Sequence, residues 1–294
     1  MPQFPTIHVE SCAKLNLGLS ITGTRDDGFH NLDSVFVEIN LCDHITIEAS
    51  PDLSVVSIPE VTDSPSDNIV YRAAAMLAHQ VGVPEAAKIT VQKRIPTGAG
   101  LGGGSSNGAC VLQHLYEAWT GLPYTTAEAR AVLEPLALEL GSDVPFFLYG
   151  GAAHVVGRGE QVTPLPVYLP WYFLVVLPGV HVSTQEAYRS LRSSLNLPAT
   201  GAWQQPSTQP AATVLQALSN SEVLKNLRND FEPYAFKTYP QLELLCQTLQ
   251  ARGALYAGMS GSGSTIFGIF RSAAEAQDAQ TDLDVPSYVC RQRE

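Results

Sequence analysis

The chain has 294 residues, of which 45% are hydrophobic and 15% charged, a length and balance suited to two domains with sizeable buried cores. Its formal charge of −11 argues against non-specific nucleic-acid binding, which needs a basic stripe. It does not argue against an anionic ligand held by local amides and a few lysines. No apolar run reaches the roughly 18 to 20 residues of a membrane span, and Met1–Glu10 lacks the basic start and apolar middle of a signal peptide, so a cytoplasmic protein is expected.

In chain order, strand-like segments come first, at Ile7–Leu19, Leu32–Ile39 and His44–Ala49. Ser66 or Asp67 is placed to cap a helix over Ile69–His79, with Gly82 as its stop. Lys88–Lys93 alternates as a strand and leads into a glycine-rich run. Asn107–Trp119 has helical spacing, and Thr125 with Glu128 forms a capping box ahead of a helix at Ala129–Leu140, kinked at Pro135. Pro164, Pro166 and Pro170 punctuate the chain and divide it into 1–165 and 166–294. In the second part Tyr172–Leu177 reads as a buried strand, and Ser183 with Glu186 caps a short helix through Tyr188. Asn196–Pro210 reads as an exposed loop, Pro240–Ala251 as a helix ended near Gly253, Tyr256–Phe270 as a second glycine cluster with a strand, and Ala273–Leu283 as a last helix. The class is α+β without regular βαβ alternation.

Cys12, Cys42, Cys110, Cys246 and Cys290 are odd in number and lack a C-x-x-C pair. Buried or idle thiols are expected rather than a disulfide framework or a zinc site.

The run Pro96-Thr97-Gly98-Ala99-Gly100-Leu101-Gly102-Gly103-Gly104-Ser105-Ser106 lies between a predicted strand and a predicted helix. Glycines let the backbone approach a ligand, successive amides form a nest for phosphate oxygens, and the helix adds its positive dipole end. Ser105 and Ser106 add hydroxyls that could donate or help hold Mg²⁺. The formal G-x-G-x-x-G at Gly98, Gly100 and Gly103 is weak evidence for a dinucleotide fold, because Glu117 falls on a helix rather than at a strand end. A Walker loop would need Lys after the glycines, and Gly104 is followed by Ser105. Four other segments are ambiguous on pattern. Lys14 and Asn16 share one side of a strand, which fits a solvent-facing edge. Asp143 fits a turn or cap. Phe29–His30 suits either a planar base or an ordinary turn with one aromatic. Ser260–Ser264 suits either a second glycine loop or a tight bend.

Taken together and in this order, these segments resemble the GHMP kinase family (galacto-, homoserine, mevalonate and phosphomevalonate kinases). Its three motifs correspond to the region around Lys14–Gly18, to Pro96–Ser106 and to Ser260–Ser264. The chain is most similar to the members acting on a cytidine-diphosphate-linked methylerythritol. The carriers are Ala13–Leu17, Ile21–His30, Gly100–Asn107, Ser142–Pro145 and Asn229-Asp230-Phe231-Glu232. The resemblance implies an α+β fold of two domains: an N-terminal ATP-binding domain like domain 2 of ribosomal protein S5, and a ferredoxin-like C-terminal substrate-binding domain, with the site in the cleft between them. It implies ATP-dependent phosphorylation of the 2-hydroxyl of 4-(cytidine 5′-diphospho)-2-C-methyl-D-erythritol, on the non-mevalonate route to isopentenyl diphosphate. It implies Asp143 as base and Lys14 as its charge partner. ATP would be held by Pro96, Gly98, Gly100, Leu101, Gly102, Gly103, Gly104, Ser105 and Ser106, flanked by Asn68 and Lys93. Substrate would be held by Asn16, Phe29, His30, Tyr188, Ser260, Gly261, Ser262 and Gly263, with Phe29 and Tyr188 as opposite walls around cytosine. Mg²⁺ is the expected partner of ATP, with no protein ligands assigned to it. Neither nucleic acid nor membrane is an expected partner, and the expected state is a monomer or weak homodimer. The alternatives are a homoserine- or mevalonate-type kinase, which would have no need of the Phe29–His30 site, a dinucleotide-dependent oxidoreductase, and a catalytically inactive relative.

Overall fold

A computed structural model describes residues 4–194, 203–281 and 283–293, apart from the side chain of Pro65. It resolves into two compact units that interleave in sequence. One comprises 1–13, 41–97 and 102–150, the other 14–40, 98–101 and 151–294. The chain passes from one unit to the other near residues 13, 40, 97, 101 and 150. Two long strands, β1 (Ile7–Thr24) and β2 (His30–Ala49), run through both. Where the spacing suggests two strands, Leu32–Ile39 and His44–Ala49, the chain forms one uninterrupted β2.

In the first unit, β3 (Ser54–Ile58), helix α1 (Ile69–Val81) and β4 (Ala87–Gln92) form a single parallel crossover, with Val55 opposite Ile89. Strand β4 pairs antiparallel with the second half of β2, Ile47 opposite Ile89. Ile45, Ile47, Ile89 and Val91 are buried from the sheet, as are Val70, Ala73, Ala74 and Leu77 from α1. Helices α2 (Gly103–Thr120) and α3 (Ala127–Leu140) pack with α1, and the short α4 (Val144–Phe147) follows. The cap of α1 is Asn68 rather than Ser66 or Asp67, its side chain accepting from the Val70 amide at 3.0 Å. For α3 the cap is Thr126, which accepts from Ala129, so the capping box expected from Thr125 does not form. In both cases the residue nearest the first helical turn wins, because only its oxygen reaches the open amides.

Cys12 and Cys42 form a disulfide, while Cys110, Cys246 and Cys290 are buried thiols outside it. This corrects the expectation of idle thiols throughout. Pairing of β1 with β2 brings together two cysteines that lie 30 residues apart in sequence.

In the second unit, β5 (Ala152–Gly157) pairs antiparallel with the first half of β2, Val35 opposite His154, and β6 (Gln161–Pro164) pairs with β5. A separate sheet contains β7 (Tyr172–Val176), preceding α5 (Thr184–Ser194), α6 (Pro210–Ala217), α7 (Glu232–Thr238) and α8 (Pro240–Ala251). Then come β8 (Tyr256–Met259), β9 (Ile266–Phe270), α9 (Ala273–Gln280) and β10 (Ser287–Arg291). Its strand order is β10-β7-β9-β8, antiparallel throughout. Numbered within the sheet that is 4-1-3-2, the split β-α-β arrangement of a ferredoxin-like domain, as expected. Every residue of β9 is buried, since helices α8 and α9 also pack against it. Part of the soft region at 196–210 lies outside the described residues. The rest is not a free loop: the Gln205 amide donates to Thr22 O, and the Thr24 amide to the carbonyl of buried Trp203.

Candidate active site

Lys14 and Asn16 are 3% and 2% exposed, so the solvent-facing reading of their strand does not hold. Every residue of β1 from Ser11 to Ser20 is buried, on both faces of the strand. A lysine in such a place needs oxygen partners. Lys14 Nζ donates to Asn16 Oδ1 at 2.6 Å and to Gly100 O at 3.1 Å, and lies 4.8 Å from the Phe36 ring centre. Asn16 is held in turn, its amide nitrogen donating to Ser34 Oγ and its backbone N–H to Ser260 Oγ. The Ser260 hydroxyl donates to Gly100 O at 3.0 Å. One piece of each predicted motif is thereby assembled in the second unit: Lys14 and Asn16, Gly98–Leu101, and Ser260–Ser264.

The backbone there is crowded. Gly100 has φ +79° and a Cβ on it would lie 2.2 Å from Ser260 O, so no other residue fits without a shift. The Thr265 amide donates to Ala99 O at 3.2 Å and the Lys14 amide to Leu101 O at 2.9 Å, closing the two glycine segments onto β1.

The rest of the glycine run belongs to the first unit and is more helical than its composition suggests. Helix α2 begins at Gly103, not Asn107, and no side chain caps it. Glycine has poor helix propensity, but here the run is supported from beneath. Buried Asp43 accepts from the amides of Arg94 and Ile95, from Asn107 Nδ2 at 3.0 Å and from Lys93 Nζ. Lys93 also donates to Asn107 Oδ1 at 2.9 Å. A Cβ on Gly103 would lie 3.4 Å from Lys93 Nζ, so a positive charge underlies the first turn of α2. The Ser106 hydroxyl is engaged by Ser11 at 2.7 Å, whereas Ser105 is half-buried and Gly104 exposed. Asn68, besides capping α1, donates to Ser57 Oγ. Asn68 and Lys93, expected beside the nucleotide, are thus built into the scaffold of the first unit. Asp43 escaped the sequence reading, because it does not sit in a pattern that a polar residue on a strand would not also produce.

Asp143 occupies the N-cap position of α4, yet its side chain makes no capping hydrogen bond, which removes the cap reading. It is half-buried and follows the end of α3 at Gly141. Asp143 belongs to the first unit and Lys14 to the second.

The Arg25–Phe29 turn joins β1 to β2, with the Arg25 amide donating to Phe29 O and the Phe29 amide to Asp27 Oδ1. It leaves the Phe29 ring 46% exposed, with the Arg158 guanidinium 4.3 Å from its centre. His30 stacks on Tyr188 at 4.2 Å, and Tyr188 meets the edge of Phe231 at 4.8 Å. Tyr188, expected as the wall opposite Phe29, thus turns one face to His30. Burial, and then the charge of Arg192, lowers the His30 pKa and keeps the imidazole neutral. Its Nε2 is buried and, among the described residues, has no hydrogen-bond partner, next in sequence to the exposed Phe29.

Residues 68–151 match the model of the GHMP kinases N-terminal domain, and residues 211–284 that of the GHMP kinases C-terminal domain. A 4-diphosphocytidyl-2-C-methyl-D-erythritol kinase of Chlorobium chlorochromatii (strain CaD3) is 38% identical over 94% of this chain and 93% of its own. The chain belongs to the GHMP kinase family. Another GHMP kinase with the same name, from Solibacter usitatus (strain Ellin6076), is 39% identical over 90% of this chain and 81% of its own. Among solved structures, a 4-(cytidine 5′-diphospho)-2C-methyl-D-erythritol kinase superposes with a TM-score of 0.77 at 32% identity, covering 98% of this chain and 100% of that one. A homoserine kinase from Cytophaga hutchinsonii superposes at 0.70 with 18% identity over 99% and 96% of the two chains, and so shares the two-domain GHMP fold alone. The first family match spans Asn68, Lys93, Pro96–Ser106 and Asp143. The second spans Asn229–Glu232 and Ser260–Ser264. Among the described residues no helix is long and apolar enough to cross a membrane.

Proposed function

We propose that this GHMP kinase transfers the γ-phosphoryl group of ATP to the 2-hydroxyl of 4-(cytidine 5′-diphospho)-2-C-methyl-D-erythritol, in the non-mevalonate route to isopentenyl diphosphate. The observation that carries the substrate is the identity of 36–39% along nearly the whole chain to kinases named for it. His30 Nε2, unbonded among the described residues, next to exposed Phe29 supports a site for a nucleobase. Homoserine and mevalonate offer no such base to stack and bond.

In this reading the donor nucleotide belongs to the part expected at 1–165. Pro96 leads into the run and the amides of Gly98–Ser106 receive its phosphates, with the uncapped start of α2 and the charge of Lys93 beneath it. Asn68 contributes through the α1 cap it forms. Asp143 accepts the proton of the 2-hydroxyl as that oxygen attacks phosphorus and the bond to the departing ADP breaks. Lys14, fixed by Asn16 and Gly100, stabilises negative charge on the transferring group. Cytosine stacks on Phe29 and His30 bonds its edge, with Tyr188 fixing the imidazole. Ser260, Gly261, Ser262 and Gly263 close on the acceptor's phosphates. A hard divalent cation such as Mg²⁺, which supplies charge neutralisation on the phosphates, fits an oxygen donor such as the Ser105 hydroxyl, since the Ser106 hydroxyl is taken by Ser11. A monomer or weak homodimer in the cytoplasm suits a chain that works on two diffusible nucleotides.

The test is turnover with Mg·ATP and the cytidyl substrate, following ADP and the phosphorylated product, with Asp143→Ala alongside. A loss of about 10² or more in kcat supports Asp143 as base. Turnover only with homoserine, mevalonate or a sugar would refute the substrate while keeping the kinase.

A further inference from the structure

The segment Asn229-Asp230-Phe231-Glu232 has no part in the reading above, yet its polar atoms are aimed at the site. Asn229 is 3% exposed. Its Nδ2 donates to two carbonyls at once, Met259 O and Gly261 O, each at 2.8 Å, while its Oδ1 accepts from the Phe231 amide. Glu232 Oε1 accepts from the Met259 amide at 2.9 Å. Asp230 Oδ2 accepts from the Ile21 amide at 2.7 Å, and the Asp230 amide donates to Leu19 O. The turn is therefore stitched to β1 on one side and to the residues flanking Ser260 on the other. Ser260 then bonds Gly100 O and Asn16, both of which hold Lys14.

We propose that Asn229 and Glu232 are positioning residues for phosphoryl transfer: they fix the height of the Ser260–Ser264 loop against β1, and through Ser260 fix where the Lys14 ammonium stands. The double donation of Asn229 is the specific element. Only a side-chain NH₂ supplies two N–H groups to carbonyls two residues apart while its own oxygen terminates the turn. An aspartate has the same shape but would face those two carbonyls with acceptors only. Glu232 needs no charge for its part, because an amide oxygen would take the Met259 N–H equally well. In this role both residues act through the Ser260–Ser264 loop, so their loss lowers kcat through geometry and leaves binding of ATP and acceptor unchanged. Misplacement of this kind far from the reacting atoms costs about 10- to 100-fold.

The inference rests on the kinase reading, so two readouts are taken on the full chain. The first is kcat and both KM values for Asn229→Asp, Glu232→Ala and Glu232→Gln, with Leu249→Ala in the core of the same unit as a control for lost stability. Asn229→Asp and Glu232→Ala lower kcat at least about tenfold with both KM values within about threefold. Glu232→Gln restores wild-type kcat, and Leu249→Ala lowers the melting temperature but not kcat. The second is hydrogen exchange at the Ser260, Gly263 and Thr265 amides, which needs no turnover: Asn229→Asp accelerates it selectively. Wild-type kcat and unchanged protection in Asn229→Asp overturn the proposal, as does an equal kcat loss in Leu249→Ala. A wild-type protein that turns over no substrate refutes the kinase reading instead, and the exchange data then decide the positioning role by themselves.

Discussion

Replacing Glu232 by Gln should make the protein more stable, by an amount that grows as pH rises above about 4.5 and levels off above about 7. The side chain is half-buried at the start of α7, and burial pushes its pKa from 4.5 to about 7, against the partly offsetting amides of Met259 and Asn229 and the charge of Arg228. The other groups facing it are Asp230 on the same turn, Cys246 on α8 and Tyr256 on β8. Burial raises the pKa of each of these too, so none supplies a positive charge. Below pH 4.5 the carboxyl is protonated in the folded and unfolded chains alike and contributes nothing to the pH dependence. Between 4.5 and about 7 the unfolded chain releases the proton while the folded protein keeps it, so stability falls as pH rises. Above about 7 the penalty is complete, at roughly 3 kcal/mol for a shift of this size. Glu232→Gln keeps an oxygen for the Met259 amide and has no proton to lose. Urea unfolding of both proteins at pH 4.5 and 8.5 should give a variant-minus-wild-type difference that grows by about 2–3 kcal/mol between the two. A difference that is flat with pH, or that turns against the variant at pH 8.5, would refute the reasoning.

Lys93→Met should cost about 3 kcal/mol in urea unfolding, because it strands the fully buried Asp43 carboxylate on amide donors alone. The double change Lys93→Met with Asp43→Asn should recover part of that loss, and no recovery would count against a paired charge. Gly100→Ala should destabilise by about 1–3 kcal/mol and lower kcat, since its methyl meets Ser260 O at 2.2 Å and φ is +79°; a wild-type melting curve would contradict this. Phe29→Ala should raise KM for the cytidyl substrate roughly 10-fold, the worth of one base–aromatic stack, and leave KM for ATP unchanged. An equal rise for both nucleotides would move Phe29 out of the base site.

What could be read in the sequence was what depends on neighbours along the chain. The helix Pro240–Ala251 and the strand starting at Tyr172 lie where their apolar spacing puts them. The Ser183–Glu186 hydrogen bond at the start of α5 forms as expected. The glycine run announced itself because few other roles need so many glycines between a strand and a helix. Its helical second half did not, since helix propensity is local and the support from Asp43, Lys93 and Asn107 is not. The same limit explains Lys14 and Asn16. Period-two alternation tells which side of a strand they share, not that both sides are covered. Asn229 and Glu232 were visible as a motif and silent as to role, because their partners, Met259 and Gly261, are some 30 residues away. The Cys12–Cys42 bond was hidden by counting, which cannot see that β1 and β2 lie side by side.

The interleaving of the two units has a consequence for synthesis on the ribosome. Everything the first unit needs lies before residue 151, so it can complete itself while the chain is still being made. Residues 14–40 belong to the second unit, whose remaining segments are 98–101 and 151–294. At about 5–20 residues per second they wait on the order of 10 s or more, with the paired β1 and β2 stretches still unfinished. Lys14 is thus made well before it is seated, because Ser260 must arrive before Asn16 and Gly100 can hold it in place.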